Sequence, residues 1–271
     1  AFFCWMEYII VAIAVLVGAS LTFFSGFGLG TIMLPVFALF FDIEVAVGAT
    51  AIVHLSNNLF KFLLVRKFIH LETFLRFGIP AMFAAILGSI LLTLITDSEA
   101  IHSYLISGRL FEITYMKIVV GSLMIFFAWF DLSPKYSNLK VDSKHLPLGG
   151  LLSGFFGGIS GHQGAFRAAF LSKSGLDKKQ FVGTSNAISL VIDISRIPVY
   201  LGFISLGTTK ELNLAASLSD GKMLLIIGIV FAFVGTFVGK RLIEKTTIIG
   251  VQRLVGVLLF VMGGLMIAGI L

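Results

Sequence analysis

Charge is scarce in this chain. Asp, Glu, Lys and Arg make up only 13% of its 271 residues, about half the share a soluble globular domain carries. A fully hydrated surface is thereby excluded. Cysteine is scarcer still: Cys4 alone leaves no disulfide framework and no Cys/His metal cluster. No G-x-x-x-x-G-K-[ST] occurs, so the chain carries no ATP-driven motor of its own, and no H-E-x-x-H or paired intramembrane aspartates equip it as a membrane-embedded enzyme. "GFGLG" (26–30) has the look of a dinucleotide fingerprint, but it follows no β-strand and lies inside an apolar stretch. No enzyme activity, cofactor or metal is expected.

Apolar residues are abundant instead: 58% of the chain is hydrophobic, 28 residues are Phe, and the mean hydropathy is +1.03. Stretches long enough to cross a hydrocarbon layer of about 30 Å recur from end to end. The chain is therefore expected to be a multi-pass protein of the lipid bilayer. Its net charge of +6 comes from Lys and Arg bunched in a few loops, a topology signal rather than a nucleic-acid footprint. The sequence begins at Ala1 and runs directly into an apolar segment; a trimmed native start is expected, with no cleavable signal peptide.

Sliding the sequence on itself by 135 positions aligns "FSGFGLGTIMLPVFALFFDIEVAVGAT" from Phe24 with "ISGHQGAFRAAFLSKSGLDKKQFVGTS" from Ile159. Ser25 meets Ser160, Gly26 meets Gly161, Asp42 meets Asp177 and Gly48 meets Gly183. The same order of apolar segments surrounds both copies. In the first half they cover Tyr8 to Ser25, Leu29 to Phe41, Val45 to Val65, Phe74 to Thr96 and Tyr115 to Phe130; in the second, Leu146 to Ile159, Gly164 to Leu171, Phe181 to Leu206, Met223 to Gly239 and Gly250 to Leu271. The first two of the second half are too short to span, and the joints "SGFGLG" and "FFGGISGHQG" mark helix breaks. Such breaks are tolerated at membrane depth only inside protein or beside a wet cavity. Loop charge places Arg66, Lys67 and Arg76, then Lys135, Lys140 and Lys144, then Lys173, Lys178 and Lys179, then Lys240, Arg241, Lys245 and Arg253 in the cytoplasm. The loops between them, "DIE" (42–44), "TDSEAIHSYLISGRLFE" and "GTTKELNLAASLSD", fall outside. Matching loops thus lie on opposite sides. The expected fold is an all-α polytopic membrane protein of two inverted-topology repeats, 1–135 and 136–271, with about five apolar segments each and a broken or re-entrant helix at each start. In this architecture half-helices meet near the midplane to hold substrate.

Polar residues inside apolar helices point to the site, since a charge at mid-helix costs at least about 2.5–3.5 kcal/mol. His54, Asn58 and Lys61 recur on one face of the third segment, and the offset maps them onto Ser189, Asp193 and Arg196, again one face. Thr50 and Ser185 extend both stripes by a turn. Two such stripes facing a common interior make a substrate cavity, with Asp193 and Lys61 as ion-coupling candidates. The alternatives are that Asp193 and Arg196 only neutralise each other at i, i+3, that Lys61 snorkels to the cytoplasmic interface, and that His54 is a satisfied buried histidine. Asn57 and Asn186 add amides that serve either a ligand or an interhelical hydrogen bond. In "SGHQGAFRAAFL" (160–171) Gly161 to Gly164 reads as the break and Gly164 to Leu171 as a half-helix whose N-terminal amides present roughly half a positive charge to an oxyanion. His162 and Gln163 flank that point and Arg167 follows by one turn, either as a ligand or as part of the cytoplasmic mouth with Lys173. Ser25 and Gly28 stand at the matching break of the first half. "GTFVG" (235–239) reads as a small-xxx-small seam for close helix packing.

"SGFGLGTIMLP" followed by "VAVGAT", paired with "SGFFGGISGHQGAFRAAFL" followed by "FVGTSN", resembles the TauE/SafE (sulfite exporter) family over nearly the whole chain. The family pattern is a glycine-rich stretch closed by Leu-Pro, then a Val-Gly-Thr-Ser helix start. The first half carries Pro35 and Gly48-Ala49-Thr50; the second carries Gly183-Thr184-Ser185 but has Phe170 where Pro35 aligns. "GHQGAF" stands where many relatives have a run of glycines, which suggests a subgroup with its own substrate chemistry. The resemblance implies outward transport of a small sulfur-containing anion such as sulfite, a sulfonate or sulfoacetate across the cytoplasmic membrane, driven by an ion gradient or the substrate's own. An anion-selective channel and an uptake carrier for another small oxyanion are the alternatives. The expected partners are the anion, the bilayer and a second copy of the chain in a homodimer.

The charge rule yields a direct test of sidedness. In a Cys4→Ser background, a cysteine at Ser137 is expected to resist an impermeant thiol reagent in intact cells, while one at Ser217 reacts. Labelling of both from the same side would overturn the inverted arrangement.

Overall fold

The structure, a computed structural model, describes residues 2–25, 29–96, 100–106, 108–133, 141–201, 221–242 and 248–271. It is a helical bundle, with 82% of the described residues in helix. The helices are α1 (Phe2–Ser25), α2 (Leu29–Phe37), α3 (Ile43–Val65), α4 (Leu71–Thr96), α5 (Tyr115–Leu132), α6 (Leu146–Ser160), α7 (Gly164–Leu171), α8 (Lys178–Tyr200), α9 (Lys222–Leu242) and α10 (Ile248–Ile267). Among the described residues, four stretches are long and apolar enough to cross a membrane: Trp5–Phe23, Ile43–Phe68, Leu71–Ile95 and Lys222–Arg241. The chain is a multi-pass membrane protein. Its lipid-facing surface is apolar, with Ile9, Ile13, Leu87, Val230 and Phe260 exposed along their helices, because hydrocarbon rewards no polar group there.

Six of these ten helices begin before their apolar run and four at its first residue. At α8 the reason is capping. Asp177 accepts from the backbone N–H groups of Lys179 and Gln180, and the Gln180 side chain accepts from the Asp177 N–H, so α8 opens on three polar residues that hydropathy passes over. Asp42, aligned with Asp177 by the 135-residue offset, occupies the same N-cap position before α3 without a side-chain bond.

The "HSYLISGRLFEI" region, expected to be plain loop, forms an antiparallel hairpin of β1 (His102–Ile106) and β2 (Arg109–Ile113), paired from His102↔Ile113 to Ile106↔Arg109. Gly108, at φ 78°, supplies the left-handed residue its turn requires. The Tyr104 hydroxyl donates to the Ala268 carbonyl, fastening the hairpin to the end of α10.

Two breaks shape the interior. α6 ends at Gly161, whose φ of 77° is the left-handed cap that a side chain would strain. After His162 and Gln163 the chain restarts as α7, with the bounds expected from the sequence. In the first half α2 is a nine-residue helix with every residue buried, as a non-spanning segment must be. Its joint at 26–28 lies outside the described residues, as do Lys135, Lys140, Lys245 and the loop "GTTKELNLAASLSD".

The helices pair as α1 on α9, α4 on α6, α5 on α10 and α3 on α8. Glycine makes three of these seams, Gly121 and Gly263 facing each other between α5 and α10. A Cβ on Gly150, Gly154 or Gly158 of α6 would lie 2.2, 2.1 or 2.3 Å from the carbonyl oxygens of Phe77, Ala81 or Ala85 on α4. On α9, the "GTFVG" glycines Gly235 and Gly239 approach the Leu16 and Ser20 carbonyls of α1 in the same way, at 2.4 and 2.5 Å for a built Cβ. Between helices in lipid, close van der Waals approach supplies the attraction that burial supplies in water.

Gly154→Val is expected to lower the melting temperature in detergent, since overpacking costs about 1–3 kcal/mol. Gly264→Ala, where a Cβ would meet nothing within 4 Å, is the matched control and should melt like the parent.

Candidate functional site

The site assembles where α3 crosses α8, beside the start of α7. At its centre Asp193, fully buried, takes five hydrogen bonds. Its Oδ1 accepts from Arg196 Nε at 3.2 Å, Arg196 Nη2 at 2.9 Å and Gln163 Nε2 at 3.4 Å. Its Oδ2 accepts from His54 Nδ1 and Asn58 Nδ2, both at 2.7 Å. A carboxylate offers about four lone-pair sites, so these donors saturate it. The two polar stripes read from the sequence are therefore in contact through one side chain.

From this hub a polar chain runs outward. Gln163 Oε1 accepts from Arg167 Nη1 at 2.9 Å, and Arg167 Nε donates to Ser185 Oγ at 2.8 Å. Gln163 is itself held by Ser153, whose hydroxyl donates to its backbone carbonyl at 2.8 Å. Asn58 Oδ1 accepts from Asn186 Nδ2 at 3.2 Å. Two buried atoms nearby have no partner, Asn186 Oδ1 and Thr50 Oγ1.

Beside this network lies an open cleft, lined among others by His54, Asn58, Lys61, Arg167, Asn186 and Ser189. Phe23, Leu29 and Phe181 give it apolar walls. Lys61 is buried, 7% exposed, with its ammonium 5.5 Å from the Phe23 ring centroid. It faces the cleft rather than snorkelling. Asn57 points away, toward α9. With its amide oriented by its neighbours, it donates to the Ala232 carbonyl and Thr236 Oγ1 at 3.2 and 2.6 Å and accepts from Lys61 Nζ at 3.3 Å.

Arg167 is 2% exposed, so it does not stand in a solvated mouth. His162 sits apart from the cleft: its ring stacks on Phe127, centroids 5.3 Å apart, Nδ1 meets Ser160 Oγ at 2.9 Å, and its buried Nε2 lacks a partner. Gly164 opens α7 and is buried. Ser25 is the last residue of α1, its side chain outside the description, and Gly28 lies wholly outside the described residues. The second break comes close to the start of α2: a Cβ on Gly30 would stand 3.5 Å from the Gly161 carbonyl oxygen and 3.6 Å from His54 Cδ2.

Of the cleft lining, Phe23, Lys61 and Phe181 lie near the last turns of α1 and α3 and the first turn of α8, the end that loop charge assigns to the cytoplasm. Farther along α8 the site is bonded to the end of α6. Arg196 Nη1 donates to the Gly157 carbonyl at 3.0 Å, and the Tyr200 hydroxyl donates to the Gly158 carbonyl. Tyr200, Ser153 and Thr236 were not singled out in the sequence. Tyr200 follows Arg196 by four residues on the same face and offered a signal; Ser153 and Thr236, small residues among glycines, offered none.

Charge sums unevenly here. Among the described residues, Lys61, Arg167 and Arg196 are the buried Lys and Arg side chains and Asp193 the buried carboxylate, so that basic side chains outnumber acidic ones at the centre. An uncompensated charge costs several kcal/mol in such surroundings, and a bound anion would offset it.

In comparisons with known proteins, the family model described as "Sulfite exporter TauE/SafE" matches residues 10–266. No curated protein and no solved structure matches.

Asp193→Asn leaves Arg196 buried without its counter-charge and is expected to destabilise the protein by about 3–5 kcal/mol. Asp193→Asn with Arg196→Gln should recover part of that loss, because it removes both charges. A double variant that melts as low as the sum of the single changes would show the pair to be uncoupled.

Proposed function

The chain belongs to the sulfite exporter TauE/SafE family, whose members are transporters, and from that premise we propose that it carries a small sulfur-containing anion such as sulfite, a sulfonate or sulfoacetate out of the cell across the cytoplasmic membrane. The observation that carries this reading is the excess of buried basic side chains beside a cleft that also presents hydroxyl and amide groups. Such a lining suits a compact oxyanion with several acceptor oxygens, and Arg167 adds a planar donor fork. Phe23, Leu29 and Phe181 lower the local dielectric and strengthen each of these contacts. Loading from the cytoplasm is supported by the end at which the cleft lies, and closure on the far side by the bonds of Arg196 and Tyr200 to the end of α6.

In this reading His54, Asn58, Lys61, Arg167, Asn186 and Ser189 face the anion. Gln163 and Asp193 hold them in place. The N-terminus of α7, with Gly164 and His162, lies behind Arg167 and contributes field more than contact. Asn57, turned to α9, positions Lys61. The division into inverted repeats 1–135 and 136–271 is supported by the helix pairing. Exchanging each helix with the one five places on turns α1 on α9 into α6 on α4 and α3 on α9 into α8 on α4, and leaves α3 on α8 and α5 on α10 unchanged.

A thermal-shift series on the purified protein tests the reading. Sulfite, sulfoacetate or another sulfur oxyanion is expected to raise the melting temperature in a concentration-dependent way, while acetate and chloride do not, because a ligand bound only to the native state stabilises it by mass action. Lys61→Gln should weaken the best of them by about 1.5–3 kcal/mol, the worth of a charged hydrogen bond. Stabilisation by no oxyanion, or equally by all anions, would overturn it.

A further inference from the structure

His54 has a different standing from the other polar groups at the cleft. Its Nδ1 lies 2.7 Å from Asp193 Oδ2, and at that distance a bare nitrogen would set its lone pair against a carboxylate oxygen. Nδ1 therefore carries a proton and donates it. The neutral ring then has its lone pair on Nε2, and His54 is one of the residues lining the cleft, so Nε2 is the nitrogen left for the cleft. This is the way a second-layer carboxylate fixes an imidazole's tautomer and its orientation. Asn58 Nδ2 also bonds Asp193 Oδ2, holding the carboxylate in place while the ring changes state.

From this geometry we infer that His54 Nε2 is the proton-binding site of the transporter, and that one proton is taken up together with each anion. The inference rests on the anion-transport reading above. On binding, a hydronium ion reaching the cleft from the water on the loading side transfers its proton to the Nε2 lone pair and leaves as neutral water. The imidazolium keeps its Nδ1–H bond to Asp193 and gains an Nε2–H donor and a positive charge facing the anion. When the anion leaves, the proton returns to water on the side to which the site then opens. A monoanion thus crosses with no net charge on the pair.

The groups around the ring favour His54 over its neighbours for this task. Asp193 on α8 is saturated by its donors, so it has no free lone pair for a proton. Arg196 on α8 and Arg167 with Gln163 on α7 are donors without a basic lone pair at neutral pH. Lys61, on α3 with His54, faces the same cleft, but its amine donates to the Asn57 amide oxygen and no carboxylate orients it. α2 carries no titratable residue, and Lys222, Lys240 and Arg241 of α9 are exposed near its ends. His162 stands behind Phe127 rather than at the cleft. Because Asp193 is shared between His54 and Arg196, charging His54 also draws on the carboxylate that orients Arg196 against the Gly157 carbonyl. Proton and anion together thus bear on the far-side closure.

Linkage makes the inference measurable. If the His54 proton strengthens anion binding, the anion strengthens proton binding by the same factor. Purified protein in weakly buffered detergent is titrated with sulfate and with methanesulfonate, neither of which takes up a proton near neutral pH. Proton uptake is read from an indicator dye, and binding from the melting temperature in the same samples. The parent is expected to take up a fraction approaching one proton per bound anion, and to bind about tenfold more weakly for each pH unit above histidine's range. His54→Gln, which keeps a donor for Asp193, is expected to bind with flattened pH dependence and no uptake. Binding by the parent without proton uptake overturns the inference and leaves the anion reading standing, as does undiminished uptake by a folded His54→Gln. If neither probe nor sulfite stabilises the parent, the anion reading itself falls, and this inference with it. A His54→Gln that fails to fold leaves the parent's proton count to decide.

Discussion

One buried carboxylate organises the centre of this protein. Asp193 is the point where α3, α7 and α8 are tied together, through His54 and Asn58, through Gln163, and through Arg196 of its own helix. A lone carboxylate at that depth would be prohibitively costly, and so would Arg196 or Arg167 without acceptors. Each group is tolerable only because the others are in place. The cluster acts as a lock on register: a helix shifted by one residue would strand several charges at once.

That lock works only because the surrounding helices come close enough to bring short side chains together. Gly150, Gly154 and Gly158 let α6 lie against the α4 backbone, and Gly235 and Gly239 do the same for α9 on α1. The tight outer pairs hold α4 and α9 against α8 and α3, and so set the separation at which His54 and Asp193 meet. Apolar packing supplies contact, and the polar network supplies specificity. Both are needed where hydrocarbon surrounds the protein and burial alone drives nothing.

The polar stripes were legible in the sequence because charge in an apolar helix is too costly to be accidental. In the sequence alone, the pairing of Asp193 with Arg196 and the meeting of the two stripes stand as alternatives. The structure has both, since one carboxylate has two oxygens and turns one to each. Lys61 and Arg167 were ambiguous in sequence for a shared reason: a long cationic side chain near a helix end reaches either interface or interior, and spacing does not distinguish them. The hairpin at 102–113 escaped the reading because a short alternating segment between spans has the hydropathy of a loop.

The sequence by itself determined the class of environment, the places where helices form and break, and the residues that had to face inward. Composition decides the solvent, glycine and capping residues decide where helices stop, and the cost of buried charge decides orientation. Only the tertiary structure decided which inward residues face a cleft and which brace them. His162 and Asn57 sit within a few residues of cleft groups, yet one stacks on Phe127 and the other turns to Thr236. Spacing along a helix fixes a face to within a turn, whereas the partner across the interface fixes the direction of each side chain, and that partner lies as far as 179 residues away.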